Sequence, residues 1–249
     1  CWVSPRYEIA NRYQLTTTGD FAPKLVQLNP TTNAAARTTL NSAVNPNSYA
    51  NRDYRMKSTI MWDYEMCIGL TSLKSTGFAP FIYNSWAAPV TIGGVNYLTY
   101  NTDGSNSGYV FRKFVRNYEG LGRSEGDYAF PVMRLADVYL MRAEAKLRKS
   151  NDVAGALADV NKVRTSRTAN MPAGSALSTI NLDLLLRERG FELYWEMHRR
   201  TDLIRFNKYE SGWTEMSSKD KNKRIFPIPQ TAIDGASNLP GYLKQNAGY

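Results

Sequence analysis

A change of hydrophobic period at Phe130 is the feature of this sequence that most constrains its fold. Before Phe130, short alternating segments are separated by clusters of Asn, Pro, Gly and Ser, the residues that favour turns. After Phe130, apolar residues recur at spacings of three and four, as they do on one face of an α-helix. We therefore expect a loop-rich region at residues 1–129 and a helical region at residues 130–249.

The helical region begins with two amphipathic segments. The first has a stripe of apolar residues at helical spacing: Val132, Ala136, Leu140, Ala143 and Leu147. The second follows the candidate capping residues Asn151 and Asp152. Together they resemble one tetratricopeptide-type hairpin. Because stacked repeats share their core with neighbours, we expect the stripe to contact elements outside this chain or to stay partly exposed.

Three segments of the loop-rich region are candidate strands. Tyr54–Asp63 alternates loosely and contains β-branched and aromatic residues, which predicts a strand. Val90–Tyr100 predicts a hairpin, because apolar residues flank Gly93-Gly94, a dipeptide suited to a tight two-residue turn. Gly108–Val115 is a further candidate. The predicted fold is mainly α, with tetratricopeptide-like hairpins and a loop-rich region that contains short β-strands.

Composition and motifs argue against several classes of function. The net charge is +9, but the Lys and Arg residues are dispersed and accompany no nucleic-acid motif, so we expect no nucleic-acid partner. His198 is the single histidine of the sequence, whereas a zinc site needs several His or Cys at matched spacings. Asp63 and Glu65 could form a glycosidase pair, but such carboxyls usually come from separate elements. We expect no enzymatic activity, no metal and no cofactor.

The third helical segment, about Leu182–Met197, is dense in charge and includes Arg187, Glu188, Arg189, Glu192 and Glu196. Such residues form either a ligand site or an ion-pair network between helices. Because acidic and basic groups nearly balance, and because Arg suits bidentate pairing, we favour the network.

The two cysteines, Cys1 and Cys67, have a spacing that fits no metal motif, and whether they pair stays open. Cys67 lies in an apolar stretch, where we expect a free buried thiol. A lipidated cysteine is normally followed by a flexible polar tether, and Trp2-Val3-Ser4-Pro5 is not one, so we expect Cys1 not to be acylated.

Aromatic residues make up 12% of the chain, and many lie in the loop-rich region. A single ring is more often part of a core than of a ligand site. Because so many fall in loops, however, we expect one or two to line a ligand surface, where rings stack on sugars and nearby Asn and Asp bind hydroxyls. The candidate ligand-binding residues are Trp2, Trp62, Tyr64, Tyr83 and Trp86.

Six blocks occur in a recognisable order: Asn51–Met56, Arg134–Ala145, Asn161–Arg164, Arg187–Arg205, Phe226–Pro229 and Leu243–Tyr249. They resemble the C-terminal half of the SusD/RagB family, the surface nutrient-binding lipoproteins of Bacteroidetes outer membranes. Three positions depart from the family pattern. Tyr54 and Ala247 replace proline, and Met197 replaces glycine.

The resemblance implies a non-catalytic receptor on the extracellular face of the outer membrane, above a SusC-like TonB-dependent transporter. It would capture an oligosaccharide, or a peptide in the RagB branch, and pass it to the transporter. It also implies an N-terminal half that lies outside this sequence, carries the lipid anchor and packs on the helices seen here. The alternative is a helical-repeat scaffold that binds protein and no small ligand.

Overall fold

The computed structural model describes the chain apart from residues 1–6, 14–22, 24, 27, 30–31, 51, 63–65, 70–78, 85–89, 93–94, 102–108, 115–129, 167–170, 172–173, 212–219, 237 and 240. It divides into two compact units, Cys1–Asn181 and Leu182–Tyr249. The helix pair predicted after Phe130 belongs to the first unit.

Helices of the first unit are α1 (Tyr7–Arg12), α2 (Arg55–Thr59), α3 (Leu135–Ser150) and α4 (Val153–Arg164), with a 3-10 helix at Pro46–Tyr49. The predicted hairpin of α3 and α4 is confirmed. Asn151 ends α3 in the left-handed conformation, and the Asp152 side chain accepts the Gly155 N–H at 2.8 Å, which caps α4. The hairpin buries Leu140, Ala143 and Leu147 on α3 and Ala156, Val160 and Val163 on α4.

The apolar stripe of the first predicted helix is buried at its end and exposed at its beginning. Leu140 is 1% exposed, whereas Val132 is 86% exposed. Leu135, which lies on another side of α3, is 70% exposed. The expectation of partial exposure is therefore confirmed, and α3 presents a further apolar side that its hairpin partner does not cover.

Strands of the described residues all lie between Ile60 and Phe111: β1 (Ile60–Met61), β2 (Met66–Gly69), β3 (Ala79–Asn84), β4 (Val90–Ile92), β5 (Val95–Asn101) and β6 (Val110–Phe111). They form an antiparallel β1–β6 pair and a four-stranded sheet in the order β2-β3-β5-β4. The predicted hairpin is confirmed, because β4 pairs antiparallel with β5, with Ile92 opposite Val95. The candidate strand at Gly108–Val115 contains the short β6.

The strand predicted at Tyr54–Asp63 is wrong for its first half, which forms α2. The cause is Asp53. Its side chain accepts the backbone N–H of Arg55 at 3.0 Å, and its carbonyl accepts the N–H of Met56 at 2.9 Å. These bonds begin a helical turn, and the Thr59 hydroxyl then donates to the Arg55 carbonyl at 2.6 Å. Local side-chain hydrogen bonds thus override the strand propensity of the segment.

Helices of the second unit are α5 (Leu182–Glu192), α6 (Arg199–Arg205) and α7 (Gln230–Gly235), with a 3-10 helix at Lys221–Arg224. The helix predicted to reach Met197 ends earlier, because Trp195 and Met197 have positive φ angles of 64° and 65°. The fold of the chain is mainly helical. Within the described residues, no helix has the length and apolar character needed to cross a membrane.

Candidate functional site

The Asp53 carboxylate is the centre of a buried ionic cluster in the first unit. The Arg55 guanidinium donates to both carboxylate oxygens of Asp53, with a shortest distance of 2.6 Å. The Asp53 side chain is 0% exposed and the Arg55 side chain is 4% exposed. Arg164, from α4, places Nη1 3.8 Å from Asp53 Oδ2. Burial raises the pKa of Asp53, but the two guanidiniums outweigh it and hold the pKa below its usual value. The cluster joins α2 to α4.

Arg52, beside Asp53, ties separate backbone segments together. Its guanidinium donates to the carbonyls of Ser48 at 3.0 Å, Ala10 at 2.7 Å and Pro23 at 3.1 Å. The side chain is buried, so these carbonyls replace water as its hydrogen-bond partners. The sequence block Asn51–Met56 therefore has a structural role.

Trp62, one of the candidate ligand-binding residues, is 6% exposed. Its ring stacks on that of Tyr49, with centroids 4.6 Å apart and planes at 16°. The Tyr49 hydroxyl is in turn 2.9 Å from the Tyr109 hydroxyl and donates to the Ala43 carbonyl at 2.6 Å. This aromatic cluster fills the core. The expectation that Trp62 offers an open ring to a ligand does not fit this burial.

Tyr83 is near the end of β3, in the middle of the four-stranded sheet. β3 runs parallel to β5, and the register sets Tyr83 beside Tyr100 and Asn84 beside Asn101. Positions in register on neighbouring strands share a face, so the two tyrosine positions adjoin on one face at this end of the sheet and the two asparagine positions adjoin on the opposite face. The other candidates, Trp2, Tyr64 and Trp86, lie outside the described residues.

The register also identifies a residue that was not selected from the sequence. Tyr100 is on a different strand from Tyr83, and periodicity within one strand carries no information about its neighbours. The available signal was the repeated Tyr-Asn dipeptide at Tyr83-Asn84 and Tyr100-Asn101.

Charged residues of α5 and α6 form a buried network in the second unit. Asp202 accepts from Arg189 at 2.8 Å and from Arg205 at 2.7 Å. Glu188, Glu192 and Glu196 are 1%, 6% and 3% exposed. Carboxylates this deeply buried are unavailable to a ligand from solution, so the ion-pair interpretation of this segment is supported. His198 is half-buried directly before α6.

A similar ionic contact links the two helices of the α3–α4 hairpin in the first unit. Asp159 on α4 accepts from Arg142 Nε at 2.9 Å and from Lys146 at 2.8 Å, both on α3. The hydrogen bond from Arg142 lowers the pKa of Asp159, and Lys146 adds to the shift. In the part of the chain that the structure describes, no group of three or more His, Cys, Asp or Glu is arranged to hold a metal ion.

The C-terminal strap, residues 225–229 together with 243–249, is held by side chains that bind backbone. Gln245 accepts the Ile228 N–H at 2.8 Å and donates to the Ile228 carbonyl at 2.9 Å, as a neighbouring strand would. Asn246 donates to the Phe226 carbonyl at 2.7 Å. Tyr249 Oη donates to the Ile225 carbonyl at 2.9 Å. The last two sequence blocks therefore fold against each other.

These features define a mainly helical protein whose helices are committed to an ionic scaffold and whose loop-rich part contains a small sheet. The chain belongs to the SusD family, whose sequence model matches residues 3–249.

A relative of this chain is the starch-binding protein SusD of Bacteroides thetaiotaomicron, which is 36% identical over 132 residues. The match covers 49% of this chain and 22% of that protein, so the compared region is a small part of the relative's length.

Proposed function

We propose that this chain is part of a cell-surface glycan-binding protein that captures oligosaccharide and delivers it to a TonB-dependent transporter of the SusC type in the outer membrane. The observation that carries the proposal is membership of the SusD family along almost the whole chain. The relative from Bacteroides thetaiotaomicron, which is described as starch-binding, supports a glucan as the first ligand to test.

The ligand site is proposed for the loop-rich part of the first unit, with Tyr83 and Tyr100 as its centre. Their adjoining positions share one face of the sheet, where two rings would be available for stacking on a sugar. Trp2, Tyr64 and Trp86 are proposed as further stacking residues. Trp62 is assigned to the supporting core instead, because its ring is covered by Tyr49.

The scaffold supports this location. In the second unit, Arg189 and Arg205 are engaged by the buried Asp202. In the first unit, Arg142 and Lys146 of α3 are engaged by Asp159 of α4. Binding by stacking and hydrogen bonding involves no chemical step, so the proposed protein acts as a receptor and turns over no substrate.

A second candidate is a helical-repeat scaffold that binds protein, including a peptide in the RagB manner. The exposed apolar residues Val132, Leu135 and Val138 favour it, because patches of this kind are typical of protein interaction sites.

Calorimetric titration of the protein with maltoheptaose, with other neutral oligosaccharides and with mixed peptides separates the candidates. We expect saturable maltoheptaose binding that Tyr83→Ala and Tyr100→Ala each weaken by about tenfold, the value of one lost stacking contact. Tyr242→Ala is the matched control, because Tyr242 is 75% exposed and lies in the second unit.

Binding of peptides without any oligosaccharide would favour the second candidate. Release of shorter sugars from maltoheptaose during incubation would contradict a receptor without chemistry.

A further inference from the structure

The second unit carries a cationic and aromatic surface where α6 and the 3-10 helix meet its C-terminal strap. We call it the strap surface and define it by Arg200, Lys223, Phe226 and Tyr249. None of these four residues pairs with Asp202, and all four belong to the second unit. Three observations bear on what this surface could bind.

The first observation is the position of its two cations. The Arg200 guanidinium carbon lies 4.1 Å from the Phe226 ring centroid, and Lys223 Nζ lies 3.5 Å from that of Tyr249. Arg200 donates to the carbonyls of Lys223 and Arg224 at 2.9 and 3.0 Å, and Lys223 donates to the Gly248 carbonyl at 3.0 Å. Each cation keeps further N–H donors, since Arg has five and Lys three.

The second observation is charge. Among the described residues, neither Arg200 nor Lys223 has a carboxylate within ion-pair distance. The adjacent Arg224 differs, because both oxygens of Glu210 accept from it at 2.6 Å. Neutral carbonyls and ring faces leave the charges of Arg200 and Lys223 uncompensated. Both side chains are half-buried, so a ligand anion would meet them in a medium less polar than water.

The third observation is that exposed rings are held in place. Phe226 is 70% exposed and Tyr249 is 44% exposed. The Tyr249 hydroxyl donates to the Ile225 carbonyl and the Asn246 amide donates to the Phe226 carbonyl, so hydrogen bonds tie the two segments of the strap together. Pre-ordered groups lose less entropy on binding.

We propose that the strap surface binds an anionic saccharide, with a sugar face on the exposed ring of Phe226 or Tyr249 and a uronate carboxylate or sulfate at Arg200 and Lys223. The aromatic rings can stack on the apolar face of a sugar. The uncompensated cations can donate charge-assisted hydrogen bonds to the anion. The net charge of +9 also attracts such a ligand at long range. An anionic lipid surface is the competing occupant. It is disfavoured because lysines that dock on lipid extend toward the headgroups, whereas Lys223 lies on a ring.

The test titrates the 249-residue protein with oligogalacturonate and with a chondroitin sulfate oligosaccharide. The salt concentration is ~0.1 M, at which charges are screened over a Debye length of ~10 Å. Lys223→Met keeps the aliphatic stem and removes the charge. We expect it to weaken binding by about tenfold, as does loss of one charge-assisted bond. Phe226→Ala is expected to weaken it similarly, and Lys223→Arg to retain it. Circular dichroism establishes that each variant is folded.

Lys221→Met is the matched control. Lys221 is exposed in the same 3-10 helix, so its replacement changes the net charge equally without touching either ring. We expect binding to be retained. An equal loss in Lys221→Met and Lys223→Met would show that only net charge matters and would overturn the proposal.

Two further outcomes would also overturn it. One is absence of binding to both anionic saccharides. The other is binding to phosphatidylglycerol vesicles, and to neither saccharide, that Lys223→Met weakens by about tenfold. Maltoheptaose titrated into the same variants reports the receptor function separately, because its proposed site is in the first unit and contains none of these residues.

Discussion

A buried contact of 3.8 Å joins the Arg164 guanidinium, at the end of α4, to the carboxylate of Asp53, which precedes α2. The two residues belong to different sequence blocks and are 2% and 1% exposed. The contact joins the two blocks in space. The first block supplies Asp53 and Arg55, and the other supplies Arg164, to a site where an unpaired charge would be strongly unfavourable.

Asp53→Asn is therefore expected to destabilise the protein by about 3 kcal/mol, because two buried guanidiniums lose their shared anion. Urea denaturation followed by circular dichroism measures the change. Asp183→Asn is the control, because Asp183 pairs with Lys208 at 3.0 Å but is 71% exposed, and an exposed pair contributes less than ~1 kcal/mol. Equal effects of the two substitutions would contradict a special role for Asp53.

The pH dependence of stability follows from the same carboxylate. The folded-state pKa of Asp53 lies below the unfolded value of about 3.9. Such a group contributes stability that is fully present above the unfolded pKa and is lost as pH falls through the folded pKa. We expect the free energy of unfolding to decrease below about pH 4, and to decrease less in Asp53→Asn. Urea midpoints between pH 7 and pH 2.5 test this, and parallel curves for both proteins would refute it.

Met197→Gly is expected to stabilise the protein by about 0.5–1 kcal/mol. Met197 has φ of 65° and a side chain that is 73% exposed, so glycine relieves the strain and removes little packing. Glycine adopts this left-handed conformation without a steric cost. Met197→Ala is the control, because it keeps the Cβ and with it the strain. A higher urea midpoint for glycine, but not for alanine, is the expected result.

Two leucines of α3 distinguish the covered and uncovered sides of the helix. Leu140→Ala should destabilise the protein by about 2–5 kcal/mol, because Leu140 is 1% exposed. Leu135→Gln should change stability by less than about 0.5 kcal/mol, because Leu135 is 70% exposed. Leucine and glutamine also have similar helix propensities. A large effect at Leu135 in thermal denaturation would mean that this chain covers that side of α3 in solution.

Trp62→Ala should destabilise the protein by about 3–5 kcal/mol, because it removes a ring stacked on Tyr49 inside the core. Trp62→Phe should retain most of the stability and all of the oligosaccharide binding. Denaturation and calorimetry of the two variants test the assignment. If Trp62→Phe folds normally but no longer binds oligosaccharide, Trp62 is a ligand residue after all.

Much of the helical architecture could be predicted from the sequence. The spacing of Leu140, Ala143 and Leu147 indicated the buried side of α3, and Asp152 indicated the start of α4. Gly93-Gly94 predicted the hairpin in which β4 pairs with β5. These features depend on contacts between near neighbours in the chain, so the local pattern contains the information.

Other features depended on contacts that the local pattern does not contain. The strand propensity of Tyr54–Asp63 suggested a strand, but the hydrogen bonds of Asp53 made its first half a helix. For the candidate site, the sequence identified Tyr83 but not Tyr100, because they adjoin only through the direct parallel pairing of β3 with β5, which skips β4 in the chain order.

Burial distinguishes the aromatic rings of the core from those that a ligand could reach. The sequence by itself determined the family, the helical periods and the set of aromatic residues from which a site could be built. Only the tertiary structure decided that Trp62 is covered by Tyr49, while Phe226 and Tyr249 stay exposed beside uncompensated cations. The physical reason is that an aromatic ring stabilises a core and a ligand surface by the same loss of water contact, so its neighbours in space determine which it serves.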